Sequence, residues 1–354
     1  MSSPPLPRKP PRTRRQKKNL IAEYLPRLVE PEGRLERDQQ LVREMVDTSL
    51  KLLRGGTPVG DIKILNAALR ELRYAFKVFA PYRQIRKVSC FGSARTPATA
   101  PAYRTAKEFS RQIADAGYMV ITGGGDGIMR ACQEGAGRER SFGANIRLPF
   151  EQEPNEFISN DPKLVTFRYF FTRKLIFVKE ADAVALFPGG FGTMDEGFEV
   201  LTLVQTGKSR PLPIVYIDSP HGTFWKTWLR YVQDHLLRAK LISDDDLALF
   251  KVTHSVEDAV DEVTAFYRVY HSSRMLGRDF VMRVNRPIPP ALVRDLAREF
   301  HDLLASGDIA QRDAFPEEHE QEPDLDPLPR LVFRLVQGRA GRLRQLIDRL
   351  NREA

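Results

Sequence analysis

Cysteine is nearly absent from this chain: Cys90 and Cys132 are the only two in 354 residues. The first falls in an expected strand and the second in an expected helix. The pattern predicts two small buried thiols, not a disulfide framework. Two cysteines and six scattered histidines make no zinc-binding spacing, so the sequence requires no metal, and it asks for no other cofactor. No apolar run approaches the ~18 residues that span a bilayer. The N-terminus lacks the apolar core of a secretion signal. The expectation is a cytoplasmic protein with no membrane partner.

Acid is missing from residues 1–18, where Arg8, Lys9, Arg12, Arg14, Arg15, Lys17 and Lys18 stand among prolines. The formal net charge is +9, and this leader holds seven of those charges. The rest of the chain is close to neutral. The leader also lacks aromatic side chains to stack on bases, which argues against nucleic acid as a partner. Residues 1–18 read as a basic, disordered, solubilising segment.

Several nucleotide motifs fail. Gly190-Phe191-Gly192 is followed by Asp195 where a dinucleotide fingerprint needs its third glycine, and Gly125-Asp126-Gly127 is followed by Arg130. Gly207-Lys208-Ser209 looks like the end of a phosphate loop, but Thr202 occupies the leading glycine position. The triplet follows a helix instead of opening one, so it reads as a helix C-cap with basic residues at the negative end.

What is present is an alternation of strands and helices between residues 85 and 272. Apolar runs such as Ala183–Phe187 are followed by glycine turns, and helical periodicity follows the turns. This predicts a Rossmann-like, doubly wound parallel sheet with helices on both faces. Residues 19–84 are expected to be helical, with Leu41, Met45, Val46, Leu50, Leu52 and Leu53 at helical spacing. Residues 273–354 form a C-terminal α/β appendage, with an acidic linker near 316–327. Three strands end in glycine turns, at Gly92-Ser93, Gly123–Gly127 and Pro188–Gly190. Ligands of open α/β sheets sit beyond the carboxyl ends of strands, so the turns should converge on one site.

The most specific signal is Pro188-Gly-Gly-Phe-Gly-Thr-Met-Asp-Glu196. A strand stops, glycines bare the backbone, and a helix starts with its unpaired N–H groups and positive dipole end exposed. That is a cradle for phosphate with a carboxylate one helical turn away. Arg173-Lys174 lies upstream in the apolar stretch Phe167–Val178, which is too greasy for a solvated charge run.

Together with Gly123–Met129 and Gly92-Ser93, the nonapeptide resembles the Lonely Guy family. These are the cytokinin riboside 5′-monophosphate phosphoribohydrolases, often named lysine decarboxylases. The resemblance covers roughly residues 86–270, and the flanks are similar to those of longer bacterial members. It implies hydrolysis of the N-glycosidic bond of a nucleoside 5′-monophosphate to free base and ribose 5-phosphate. It implies Arg173 and Glu196 as the catalytic pair, and Gly189, Gly190, Gly192 and Thr193 as holders of the 5′-phosphate. Gly92, Ser93, Gly124 and Gly125 would line the same pocket. Short family members have Met-His where this chain has Phe170-Phe171, which makes AMP or another purine monophosphate a safer substrate than a cytokinin precursor. The family also implies a homo-oligomer of at least two subunits.

Other readings compete. Thr193-Met-Asp-Glu196 also fits a capping box, threonine at the N-cap and glutamate three residues on. A non-catalytic nucleotide or cofactor carrier of the same fold, like the molybdenum-cofactor carriers, is the alternative function. A true lysine decarboxylase would need a pyridoxal-binding lysine, and no lysine has a suitable context.

Overall fold

The computed structural model describes residues 36–148 and 153–354. The basic leader and residues 149–152 lie outside the described residues. The chain divides into two compact units, 1–67 and 68–354. The first holds helix α1 (Glu36–Arg54) and the opening turns of α2 (Val59–Phe79). Leu41, Met45 and Leu53 on α1 are exposed.

In the second unit, seven strands make one parallel sheet: β1 (Lys87–Phe91), β2 (Met119–Thr122), β3 (Ser141–Ile146), β4 (Leu164–Phe167), β5 (Ala183–Leu186), β6 (Ile214–Ile217) and β7 (Lys251–Thr253). Their order is β4-β3-β2-β1-β5-β6-β7. The helices between them are α3 (Pro101–Asp115), α4 (Ile128–Ala136), α5 (Phe170–Lys179), α6 (Phe191–Gln205) and α7 (Phe224–Tyr231), and α8 (Val256–Phe266) follows the last strand. β7 carries only three residues, Lys-Val-Thr, too short for sequence periodicity to reveal.

The strands are buried on both faces because successive side chains alternate between them. Val88, Cys90, Val120, Ala183, Ala185, Val215 and Ile217 face a layer holding Phe109, Ile113, Ile128 and Val263. On the opposite face, Met119, Ile121 and Phe142 pack with Ala75, Phe79 and Phe177. Val184, Leu186 and Tyr216 pack there with Val200, Trp225 and Trp228. Cys90 and Cys132 are buried, free thiols.

The order reverses at β1. The chain runs outward from β1 to β4, then returns to place β5 on the other side of β1, in parallel register Val88↔Ala183 through Phe91↔Leu186. The crevice at this reversal is where a doubly wound sheet offers a ligand site.

The appendage is a four-stranded antiparallel sheet of β8 (Tyr270–Leu276), β9 (Asp279–Val284), β10 (Leu304–Arg312) and β11 (Arg330–Leu335), ordered β10-β11-β9-β8. Helices α9 (Pro290–Glu299) and α11 (Ala340–Glu353) close its core over Phe280, Met282, Leu331 and Phe333. The acidic stretch near 316–327 does not behave as a linker. It contains helix α10 (Pro316–Gln321), and Glu318 is fully buried between Arg283 and Arg330. Its Oε1 accepts from Arg283 Nη2 at 2.6 Å and its Oε2 from Arg330 Nε at 3.2 Å. Composition marks acid and proline as linker material, whereas two buried guanidinium groups turn this acid into an anchor.

Candidate active site

Every residue of β5 is buried, and so is Phe187 after it. Pro188 and Gly189 then turn the chain, and α6 starts at Phe191 with Gly190 as an extended N-cap that has no side-chain hydrogen bond. The capping-box reading is therefore corrected: Thr193 is the third helical residue, not the N-cap. The glycines let the chain enter the helix earlier than the Thr-x-x-Glu spacing suggests. Glu196 sits well inside α6, where a capping role is closed to it. The amides at the start of α6 stay available to an anion, and the helix dipole points its positive end there.

The three glycines of this turn do different jobs. A Cβ at Gly189 would lie 2.1 Å from Thr193 Oγ1 and 3.0 Å from Ser93 N, so this position packs turn against turn. Gly190 and Gly192 face open space, with nothing within 4 Å of a built Cβ. Those two leave room for a bulky group to reach the backbone. Thr193 is buried beside them.

The turn after β1 is joined to the turn after β5: Ser93 N donates to Pro188 O at 3.2 Å, and Phe187 N donates to Phe91 O at 2.8 Å. Ser93 O in turn accepts from Ile128 N, the first amide of α4, at 3.0 Å. That bond consumes a donor an anion would need. Gly127, at φ +62°, allows the close approach, since a Cβ there would stand 2.3 Å from Ser93 O.

A cleft of ≈ 810 Å³ lies at this junction. Gly92, Ser93, Arg173, Gly189, Gly190, Gly192, Thr193 and Glu196 all line it. Gly124 and Gly125 do not; their carbonyls accept from Asn155 Nδ2 at 3.1 and 2.8 Å, and both glycines are buried. Gly123 and Met129 represent that segment in the cleft, together with Arg95, Phe177, Phe191 and Phe224. Phe177 and Phe224 carried no distinctive spacing, because only the packing of α5 and α7 against the sheet brings them there. Phe170 and Phe171 stand outside the lining: Phe170 lies under the Arg173 guanidinium at 4.8 Å, and Phe171 stacks on Tyr169.

Glu196 is 6% exposed. Burial pushes its carboxyl up to about 7, against the downward pull of Lys174 and Arg173. Arg173 Nη2 stands 3.9 Å from Oε1, and Lys174 Nζ stands 3.8 Å from Oε2. Both are beyond hydrogen-bond length. Burial also lowers the Arg173 guanidinium from its ordinary value, and its Nε is a buried donor with no partner. Lys174 is differently placed: its ammonium binds Asp195 at 2.9 Å and Glu199 at 2.7 Å, which anchors α5 to α6. Asp195 is occupied there, at the surface.

Among the described residues no lysine lines the cleft, so the residues present do not fit the pyridoxal group that decarboxylation of lysine would use. Among the described residues, no group of three or more His, Cys, Asp or Glu side chains is placed to hold a metal ion, and no helix is long and apolar enough to cross a membrane.

Comparison with known proteins agrees with the nonapeptide. Residues 126–263 match the family model described as possible lysine decarboxylase. The cytokinin riboside 5′-monophosphate phosphoribohydrolase of Mycobacterium tuberculosis is 28% identical over 170 residues, covering 47% of this chain and 88% of that protein. Solved structures include the molybdenum cofactor binding protein of Rippkaea orientalis, at 19% identity and a TM-score of 0.35, covering 51% of this chain and 95% of that one. The Moco carrier protein of Chlamydomonas reinhardtii gives 21% identity and a TM-score of 0.35, covering 51% and 96%. The stretch matched by the family model holds Arg173 and the whole nonapeptide, and over it this chain is similar to the phosphoribohydrolases that the nonapeptide resembles.

Proposed function

We propose that the protein hydrolyses the N-glycosidic bond of a nucleoside 5′-monophosphate, with AMP as the simplest substrate. One observation carries the reading: a buried carboxyl, Glu196, shares a cleft with an uncapped helix start and an open glycine turn. The 5′-phosphate binds the amides of α6 over Gly190 and Gly192, with Thr193 beside them. A ribose held by that phosphate lies against Glu196, within two helical turns.

Cleavage of the bond between C1′ and the base nitrogen leaves positive charge on the sugar, and the bonding pair departs with the base. Ionised Glu196 stabilises that charge and takes a proton from the attacking water. The departing base gains its proton from solvent. Water is consumed, and free base and ribose 5-phosphate are formed. Arg173 keeps its proton, so its work is electrostatic: it grips phosphate and holds the carboxylate form of Glu196. Phe191, which is 96% exposed, and Phe224 offer ring faces at the rim for a flat base.

Incubation with AMP and chromatography for free adenine tests this reading. Adenine in equal amount with ribose 5-phosphate supports it; tight AMP binding without adenine release favours the carrier reading. A second copy as partner is supported by Phe170, Phe171 and Leu175, all exposed on α5, and a solution mass tests that assembly.

A further inference from the structure

Away from the nucleotide cleft, a second groove of ≈ 380 Å³ runs between the α/β sheet domain and the appendage. Its volume is that of a small-molecule site. One wall is the end of α6 and the loop after it, including Lys208 and Arg210. The other is built by β8, β9, the end of β11 and the start of α11, with Arg274, Arg339 and Arg344. Among the described residues, five cationic side chains line the groove, and no Asp or Glu does.

The charge balance is more than a solvated surface. Arg344 is 6% exposed. Its Nε donates to Asp348 at 2.8 Å and its Nη2 pairs with Glu262, while Nη1 is buried with no partner. A buried guanidinium donor is rarely left unsatisfied without a reason. α11 begins beside it with no side-chain cap and no acid in its first turn, so its positive dipole end opens on the same space. Arg339 leans toward Asp245 at 3.4 Å and Arg210 binds Asp182 at 3.0 Å. Those acids stand outside the groove. Val204, Leu212, Phe280 and Leu343 give it an apolar floor.

The Gly207-Lys208-Ser209 triplet belongs to this wall. It closes α6 as a C-cap: Gly207 has φ +69°, and the amides of Lys208 and Ser209 both donate to Leu203 O at 2.9 Å. The cap turns the chain back and leaves the exposed Lys208 side chain at the groove mouth. Glu196 and Gln205 are separated by roughly 14 Å of α6, so groove and cleft are distinct.

We infer that this groove is a binding site for a small phosphorylated organic anion, held by Lys208 and the Arg339–Arg344 start of α11, with its apolar body on the floor. The inference does not depend on the reaction assigned to the cleft.

Calorimetric titration of the full chain with inorganic pyrophosphate tests it. Binding should weaken at least about tenfold in Lys208→Gln/Arg339→Gln, since two charge-assisted contacts are lost. It should persist in Arg173→Ala. Both altered positions of the double variant are exposed, and its unfolding temperature should match the wild type. If the double variant nevertheless unfolds, Lys208→Gln alone should weaken binding severalfold. Equal binding in the pocket variants, loss of binding in Arg173→Ala, or no heat at millimolar pyrophosphate would each overturn the inference.

Discussion

Arg173 Nη2 lies 3.9 Å from Glu196 Oε1, near enough to act through its field and too far to hydrogen-bond. Both side chains are largely buried, and neither is satisfied by the other. An ion pair kept for stability would close that gap. This one stays open beside a cleft, as a pair waiting on a third group would.

Replacing Glu196 with Gln keeps shape and removes the proton acceptor. Turnover of AMP should fall about 10²–10⁴-fold, while the unfolding temperature at pH 8 should hold or rise. A fully active, unshifted Glu196→Gln protein removes the carboxylate from the mechanism.

The same side chain makes stability depend on pH. Its folded value of about 7 is raised above the ordinary carboxylate value of 4.5. A raised value means a contribution that is fully present below 4.5 and lost as pH climbs through 7. Relative to Glu196→Gln, the wild type should lose up to about 3 kcal/mol of unfolding free energy across that window. Denaturant titrations of both proteins at several pH values measure it; parallel curves would mean an ordinary carboxyl. The rate should run the other way, with kcat/KM for AMP rising through pH 7 as the base ionises.

Glycine substitutions should separate packing from binding. Gly189→Ala meets Thr193 Oγ1 at 2.1 Å and should cost about 1–3 kcal/mol. Gly192→Ala meets nothing within 4 Å and removes a glycine from a helix. It should leave the unfolding temperature level or higher by up to about 1 kcal/mol of stability, yet raise KM for AMP by crowding the phosphate. Thermal scans with kinetics on both variants check the split.

Glu318 supplies a test in the appendage. Glu318→Gln leaves Arg283 and Arg330 buried without their shared anion and should cost about 3–5 kcal/mol. Chemical denaturation reads this directly, and an effect below 1 kcal/mol would mean the pairs are rebuilt by Glu322.

The sheet was legible because its strands are apolar on both faces and end in glycine, so Ala183–Leu186 announces itself without context. Lys251–Thr253 did not, since three residues carry no period. Gly189, Gly190 and Gly192 look alike as letters. Only their neighbours tell that one packs against Thr193 and Ser93 while two face open space. Gly124 and Gly125 were expected in the cleft on motif grounds, and the draw of Asn155 on their carbonyls, set by the fold of the following loop, turns them elsewhere. Glu318 shows the limit of composition: acid among prolines looks like linker until two distant arginines are brought to it.

The most direct measurement is a crystal structure of Glu196→Gln with AMP bound. The phosphate should sit on the amides of residues 191–193, with C1′ facing position 196 and Arg173 beside it. A nucleotide bound elsewhere, with the turn after β5 empty, would contradict the account.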